Sequence, residues 1–116
     1  MHELPIVNEV VKTTLRYANE EHATKVLSVK LVIGDMHDLI DEWVQKYFVF
    51  ATRGTIAEGA VLNIERVPIV CQCNDCHEYF ILRLREVQQA ACPVCKSEKF
   101  TLCRGDEFSI EGIEIE

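Results

Sequence analysis

Cys73-Asn74-Asp75-Cys76 and, fifteen residues further on, Cys92-Pro93-Val94-Cys95 are the stretches whose reading decides the fold. Two thiolates three positions apart on a tight turn reach one ion from the same side, and a second such turn completes a tetrahedron. Four sulfur donors leave no open coordination position and suit zinc, so Cys73, Cys76, Cys92 and Cys95 are read as ligands of a structural Zn(II). A rubredoxin-type iron centre takes the same donors and stands second to zinc. Two disulfides would need an oxidising compartment, and the start Met1-His2-Glu3-Leu4-Pro5 lacks the basic and apolar regions of a secretory signal. A thioredoxin-like motif uses one CxxC at a helix start, whereas here two matched motifs flank a strand-like run. Cys71 and Cys103 read as small buried apolar residues, with Cys71 a possible competitor for the metal.

On either side of the cysteines the pattern is that of an α+β domain. Leu4, Val7, Val11, Leu15 and Ala18, widened by Val10 and Tyr17, predict an amphipathic helix over about residues 4–22, with Pro5 in its first turn. From Val26 the period becomes two, and Leu27, Val29, Leu31 and Ile33 are placed on one face of a strand ending at Gly34-Asp35. Ile40, Trp43, Val44, Tyr47, Phe48 and Ala51 predict a second helix, with Asp38 as N-cap, Gly54 as its stop, and Trp43 and Phe48 as core residues. Val61 to Val67 reads as a second strand, Tyr79 to Arg85 as a hairpin strand within the module, and Phe108 to Ile115 as a closing strand with a bulge at Glu111-Gly112. A strand–helix–strand unit favours a right-handed crossover between parallel strands. The expected fold is therefore two helices on a three-stranded mixed sheet with an inserted, zinc-ribbon-like four-cysteine module. Residues 1–68 and 105–116 form the α/β domain, and residues 69–104 form the zinc-binding module.

Charge narrows the function. Twelve basic against nineteen acidic residues give a net charge of −7, the opposite of the basic face that nucleic acid requires. The cysteine segment itself has five basic residues (Arg83, Arg85, Lys96, Lys99, Arg104) against four acidic ones (Asp75, Glu78, Glu86, Glu98). No apolar run approaches the ~20 residues of a membrane span, so no membrane or nucleic-acid partner is expected and the location is read as cytoplasmic. No nucleophile–base pair stands out, and a closed metal site does not catalyse, so the protein is not expected to be an enzyme. Gly54 to Gly59 lacks the Lys-Ser/Thr ending of a phosphate loop and reads as a connector.

The second chemical feature is Met1-His2-Glu3. The α-amine, the backbone nitrogens of His2 and Glu3, and the His2 imidazole can converge on one ion in a nitrogen-rich, near-planar set that suits Ni(II) or Cu(II); the Glu3 carboxylate could add an oxygen. His22, His37 and His77 read as exposed, each a secondary candidate as a metal ligand.

The combination resembles the HypA/HybF family of hydrogenase maturation proteins. The likeness is carried by Met1-His2-Glu3, Gly54-Thr55-Ile56-Ala57-Glu58-Gly59-Ala60, the two cysteine pairs, and the closing Ile113-Glu114-Ile115-Glu116. It implies a nickel metallochaperone: transferred Ni(II) at His2 with Glu3 and Met1, structural Zn(II) on the four cysteines, and a HypB-type GTPase and a hydrogenase large subunit as partners, with urease served by some relatives. The competing reading is a zinc-ribbon protein–protein adaptor without nickel delivery.

Overall fold

The computed structural model describes residues 3–84 and 90–116. The elements run α1 (Glu3–Glu20), β1 (Val26–Gly34), α2 (Asp41–Thr52), β2 (Val61–Val67), β3 (Ile69–Cys73), β4 (Tyr79–Leu82), β5 (Phe100–Arg104) and β6 (Phe108–Ile115). They form two three-stranded sheets, ordered β2-β1-β6 and β4-β3-β5. The chain divides into two compact units: Met1–Val32, Leu39–Glu65 and Ser109–Glu116 make the first, and Ile33–Asp38 with Arg66–Phe108 the second.

The first unit is built on period. In α1 the buried positions are Glu3, Val7, Val10, Val11, Thr14 and Ala18, a stripe spaced three and four apart as a helix requires. Leu4 and Tyr17, expected on that stripe, are 40% exposed. At the helix start it is Glu3, not Leu4, that is buried. In β1, Val29, Leu31 and Ile33 are buried as alternation predicts, but Leu27 is exposed. Lys30 on β1 and Glu65 on β2 pair at 3.6 Å with both side chains more than half exposed. The Glu116 backbone bonds back to Thr24 and Lys25 beside the start of β1, which brings the closing strand in antiparallel.

The second helix corrects two expectations. Trp43 is exposed, not core. Val44, Phe48 and Thr52 make the buried line, while Trp43 stacks on Tyr47 with ring centroids 5.8 Å apart and lies under the Lys46 ammonium. The reason is composition. Apolar residues surround so much of α2 that spacing cannot say which line meets α1. The N-cap, moreover, is Ile40 in extended conformation with no side-chain cap bond, so Asp38 does not fill that role.

The second unit is an antiparallel sheet in which β3 is central. β4 pairs with it in the register Cys71↔Phe80, and β5 in the register Gln72↔Thr101 and Cys73↔Phe100, with a bulge at Val70/Cys71. The strands β3 and β5 go beyond the elements that the sequence pattern predicts. Of the expected strand from Tyr79 to Arg85, the first four residues form β4, and Arg85 lies outside the described residues. Ile69, Cys71, Cys73, Phe80 and Cys92 form the small core, with the Phe80 and Phe100 rings edge-to-face at 5.5 Å. Two backbone crossings in this unit demand glycine. A Cβ on Gly34 would fall onto the Gly105 carbonyl, and Gly105, at φ +121°, would set one 2.7 Å from the Ile69 Cα.

Candidate metal centre

The two CxxC turns are built alike. The Cys73 N–H donates to the Glu78 carbonyl at 2.9 Å and the His77 N–H to the Cys73 carbonyl at 3.0 Å; the Cys92 N–H donates to Ser97 at 2.8 Å and the Lys96 N–H to Cys92 at 2.9 Å. The residue after each second cysteine takes a left-handed conformation, His77 at φ 65° and Lys96 at φ 66°. That turn points both thiols of a pair inward. Here two side-chain-bearing residues occupy positions that glycine fills without strain, which is why no glycine in the sequence marked them.

The turns are also tied to each other. The Asn74 N–H donates to the Lys99 carbonyl at 2.9 Å, the Thr101 hydroxyl donates to the Asn74 side-chain oxygen at 2.9 Å, and the Ser97 hydroxyl donates to the Asp75 carboxylate. These bonds leave Cys73 Sγ 3.5 Å from Cys95 Sγ and Cys76 Sγ 3.6 Å from Cys92 Sγ. All four sulfurs lie within 4.8 Å of one another. A disulfide needs sulfurs about 2.05 Å apart, and all six cysteines are free. Four sulfurs each about 2.3 Å from a central zinc would stand roughly 3.8 Å from one another. The donor set fits zinc.

Electrostatics point the same way. The N–H groups of Cys76 and Asp75 both donate to Cys73 Sγ at 3.4 Å, and they hold its thiol down to about 6 against the opposing effect of burial. Cys76 has a helpful hydrogen bond from Glu78, yet burial and the neighbouring sulfurs push it up to about 12. Clustered thiolates repel, so a cation is what allows all four to be deprotonated together. Cys71 stands outside this cluster. It is buried in the sheet, and burial followed by the nearby Cys103 pushes its thiol up. Cys103 is exposed, contrary to the buried reading.

The histidines separate by position. His22 and His77 are exposed. His37, read as exposed, is half-buried; its Nε2 lies 2.9 Å from the Asp106 carbonyl and its ring meets Phe108 edge-on. Among the described residues the only metal-ligating cluster is the four cysteines.

Met1 and His2 lie outside the described residues. Glu3 opens α1 and is 2% exposed, and its Oε2 accepts the Ile40 N–H at 3.0 Å. The chain's α-ammonium group first, and then the Ile40 N–H, hold its carboxyl down to about 2. The sequence signal for this role was available: Glu3 sits on the same helical line as Val7 and Val10.

Two helices, two three-stranded sheets and a four-thiolate cluster whose donor set fits structural zinc define the class: a metal-binding protein. The sequence model of a family described as "Hydrogenase/urease nickel incorporation, metallochaperone, hypA" matches residues 1–115. The chain belongs to the HypA family. It is 34% identical over 134 aligned positions to a hydrogenase maturation factor HypA of Pyrococcus abyssi, covering all of this chain and 96% of that one. It is 33% identical over 116 positions to the HypA of Dehalococcoides mccartyi, covering all of this chain and 95% of that one. The solution structure of the Ni metallochaperone HypA from Helicobacter pylori shares the fold, with a TM-score of 0.62 at 21% identity over 99% of this chain and 97% of the other.

Proposed function

We propose that this protein delivers nickel during [NiFe]-hydrogenase maturation, holding Ni(II) at its amino terminus while the four-cysteine zinc keeps the second unit ordered. The observation that carries this reading is the match of the HypA family over residues 1–115, which includes Met1-His2-Glu3 as well as both cysteine pairs. The α-amine of Met1, the backbone nitrogens of His2 and Glu3 and the His2 imidazole supply the donors, a set suited to square-planar Ni(II). Cys73, Cys76, Cys92 and Cys95 are the zinc ligands. The two sites thus divide the work: one closed and structural, one open enough to release its cargo. Residues 1–68 and 105–116 are proposed as the nickel-binding domain and residues 69–104 as the zinc-binding module.

Delivery needs a partner on each side, and we infer a HypB-type GTPase and a hydrogenase large subunit for these roles. Six free thiols suit the reducing cytoplasm where maturation would take place. Among the described residues no helix is long and apolar enough to cross a membrane. No turnover is expected of the protein itself.

The test is calorimetric titration of Ni(II) into three zinc-loaded proteins at one pH: native, His2→Ala, and native with residues added before Met1. The extension leaves every side chain in place but converts the amine to an amide, so both altered proteins should lose tight nickel binding. Nickel bound to His2→Ala as tightly as to the native chain would sink the reading and favour the zinc-only adaptor.

A further inference from the structure

We propose that the outward face of α2 is a self-association surface: two copies of this chain meet there, antiparallel about a two-fold axis, with Glu42 of each against Arg53 of the other. The contact needs no nickel and stands apart from the nickel reading above.

Three observations meet on this helix. With Val44, Phe48 and Thr52 turned inward, Trp43, Lys46, Phe50 and Arg53 follow one another at helical spacing on the opposite side, and Val49 and Phe50 beside them are 57% and 62% exposed. Exposed apolar residues that are grouped rather than scattered mark an interaction site, and aromatic residues with arginine are the types enriched at protein interfaces. Next, Leu4 of α1 joins Val49, Phe50 and Arg53 around a groove of about 640 Å³ over the C-terminal half of α2, while Trp43, stacked on Tyr47, stands exposed on the N-terminal half. Charge, finally, follows the same order. Glu42 lies in the first turn with its side chain 74% exposed and reaches Lys46 at 3.4 Å, and Arg53 at the C-cap lies over the Phe50 ring. Among the described residues Arg53 has no carboxylate partner.

A helix face with an acid at one end, apolar side chains between and a base at the other is complementary to itself run backwards. A two-fold axis through the middle of α2 makes every contact twice. Glu42 of one copy then meets Arg53 of the other, and Trp43 of one falls over the groove beside Leu4, Val49 and Phe50 of the other. A parallel pairing would set Arg53 against Arg53. The charge of the whole chain selects this face too: at −7 two copies repel one another over most of their surface, whereas the outward line of α2 carries Lys46 and Arg53 against Glu42 alone. A different protein would have to bring a carboxylate and an aromatic ring to these places. A second copy already holds both.

Sedimentation equilibrium of the zinc-loaded, nickel-free full chain over a wide range of concentration tests this, read beside the emission of Trp43, the chain's single tryptophan. Native protein should pass from monomer to dimer as concentration rises, and the Trp43 emission should shift to the blue with it. Trp43→Ala and Phe50→Ala should each weaken association by about thirtyfold, with the far-UV signal of dilute protein unchanged, because neither side chain is buried in the single chain. Glu42→Arg and Arg53→Glu should each weaken it by about tenfold, and the two together should restore it to near the native value. Native protein that stays monomeric throughout would overturn the proposal and leave the face to a different protein. A dimer that Phe50→Ala leaves intact would overturn it too, by placing the contact elsewhere. So would single charge reversals that weaken association with no recovery in the double variant, its helical signal intact, since Glu42 would then not face Arg53.

Discussion

The two units of this chain are held together by different physics. In the first, Val7, Val11, Val29, Leu31, Val44 and Phe48 are almost fully buried, and the removal of their apolar surface from water supplies the stabilisation. In the second, the small core is Ile69, Cys71, Cys73, Phe80 and Cys92, and two of those five, Cys73 and Cys92, belong to the four-cysteine cluster proposed to hold zinc. Short strands with so few apolar residues bury too little to order themselves, and zinc on the proposed site would supply what packing does not. The lesson is that one chain can fold by two routes, and each should fail under a different insult.

Removing the zinc is the widest break. Structural zinc contributes on the order of 10 kcal/mol, so a strong chelator, or Cys76→Ala, should collapse the amide dispersion of β3, β4 and β5 while the far-UV signal of α1 and α2 persists. Stoichiometric zinc and intact strand resonances in Cys76→Ala would erase the distinction between the units. Cys71→Ala should retain the metal, since that thiol lies outside the cluster.

Phe48→Ala strikes the other route. Truncating a buried aromatic costs roughly 3–5 kcal/mol, so the denaturation midpoint of the helical signal should drop sharply with zinc still bound. Trp43→Ala provides the contrast on the same helix, because the residue is 44% exposed; it should shift the midpoint far less, within about 1 kcal/mol. Equal losses from the two variants would mean that Trp43 is packed after all.

Between these lies Gly34→Ala. Any Cβ there meets the Gly105 carbonyl and, at 2.7 Å, the Glu107 nitrogen, so backbone must move. Overpacking of this kind costs about 1–3 kcal/mol, and the loss should appear in the cysteine unit, where these residues lie. A variant as stable as the parent would show that the crossing relaxes freely.

Much of this molecule was legible in one dimension. The helix α1, the strands β1, β2 and β6, and the order of elements followed from residue periods of 3.6 and 2, because those periods are properties of the local backbone. The clustering of Cys73, Cys76, Cys92 and Cys95 was equally plain, since three-residue spacing on a tight turn is a local geometry that the chain carries with it. The amino-terminal donors proposed for nickel were read from adjacency alone, and Met1 and His2 lie outside the described residues. What misled was choice of face: Leu4, Leu27 and Trp43 are as apolar as their buried neighbours, and nothing in composition says which line of α2 will meet α1. β3 and β5 went unread because Cys71-Gln72-Cys73 and Thr101-Leu102-Cys103 resemble linkers until hydrogen bonding aligns them.

Sequence by itself therefore determined the local elements, the identity of the thiolate donors and the charge that disfavours nucleic acid. Only the tertiary structure decided that Glu3 turns inward to cap a helix thirty-seven residues away, that His77 and Lys96 adopt matching left-handed turns, and that Trp43 faces solvent. Those outcomes depend on which distant group arrives to satisfy a buried charge, a bare N–H or an apolar face, and that competition is settled by packing rather than by neighbours along the chain.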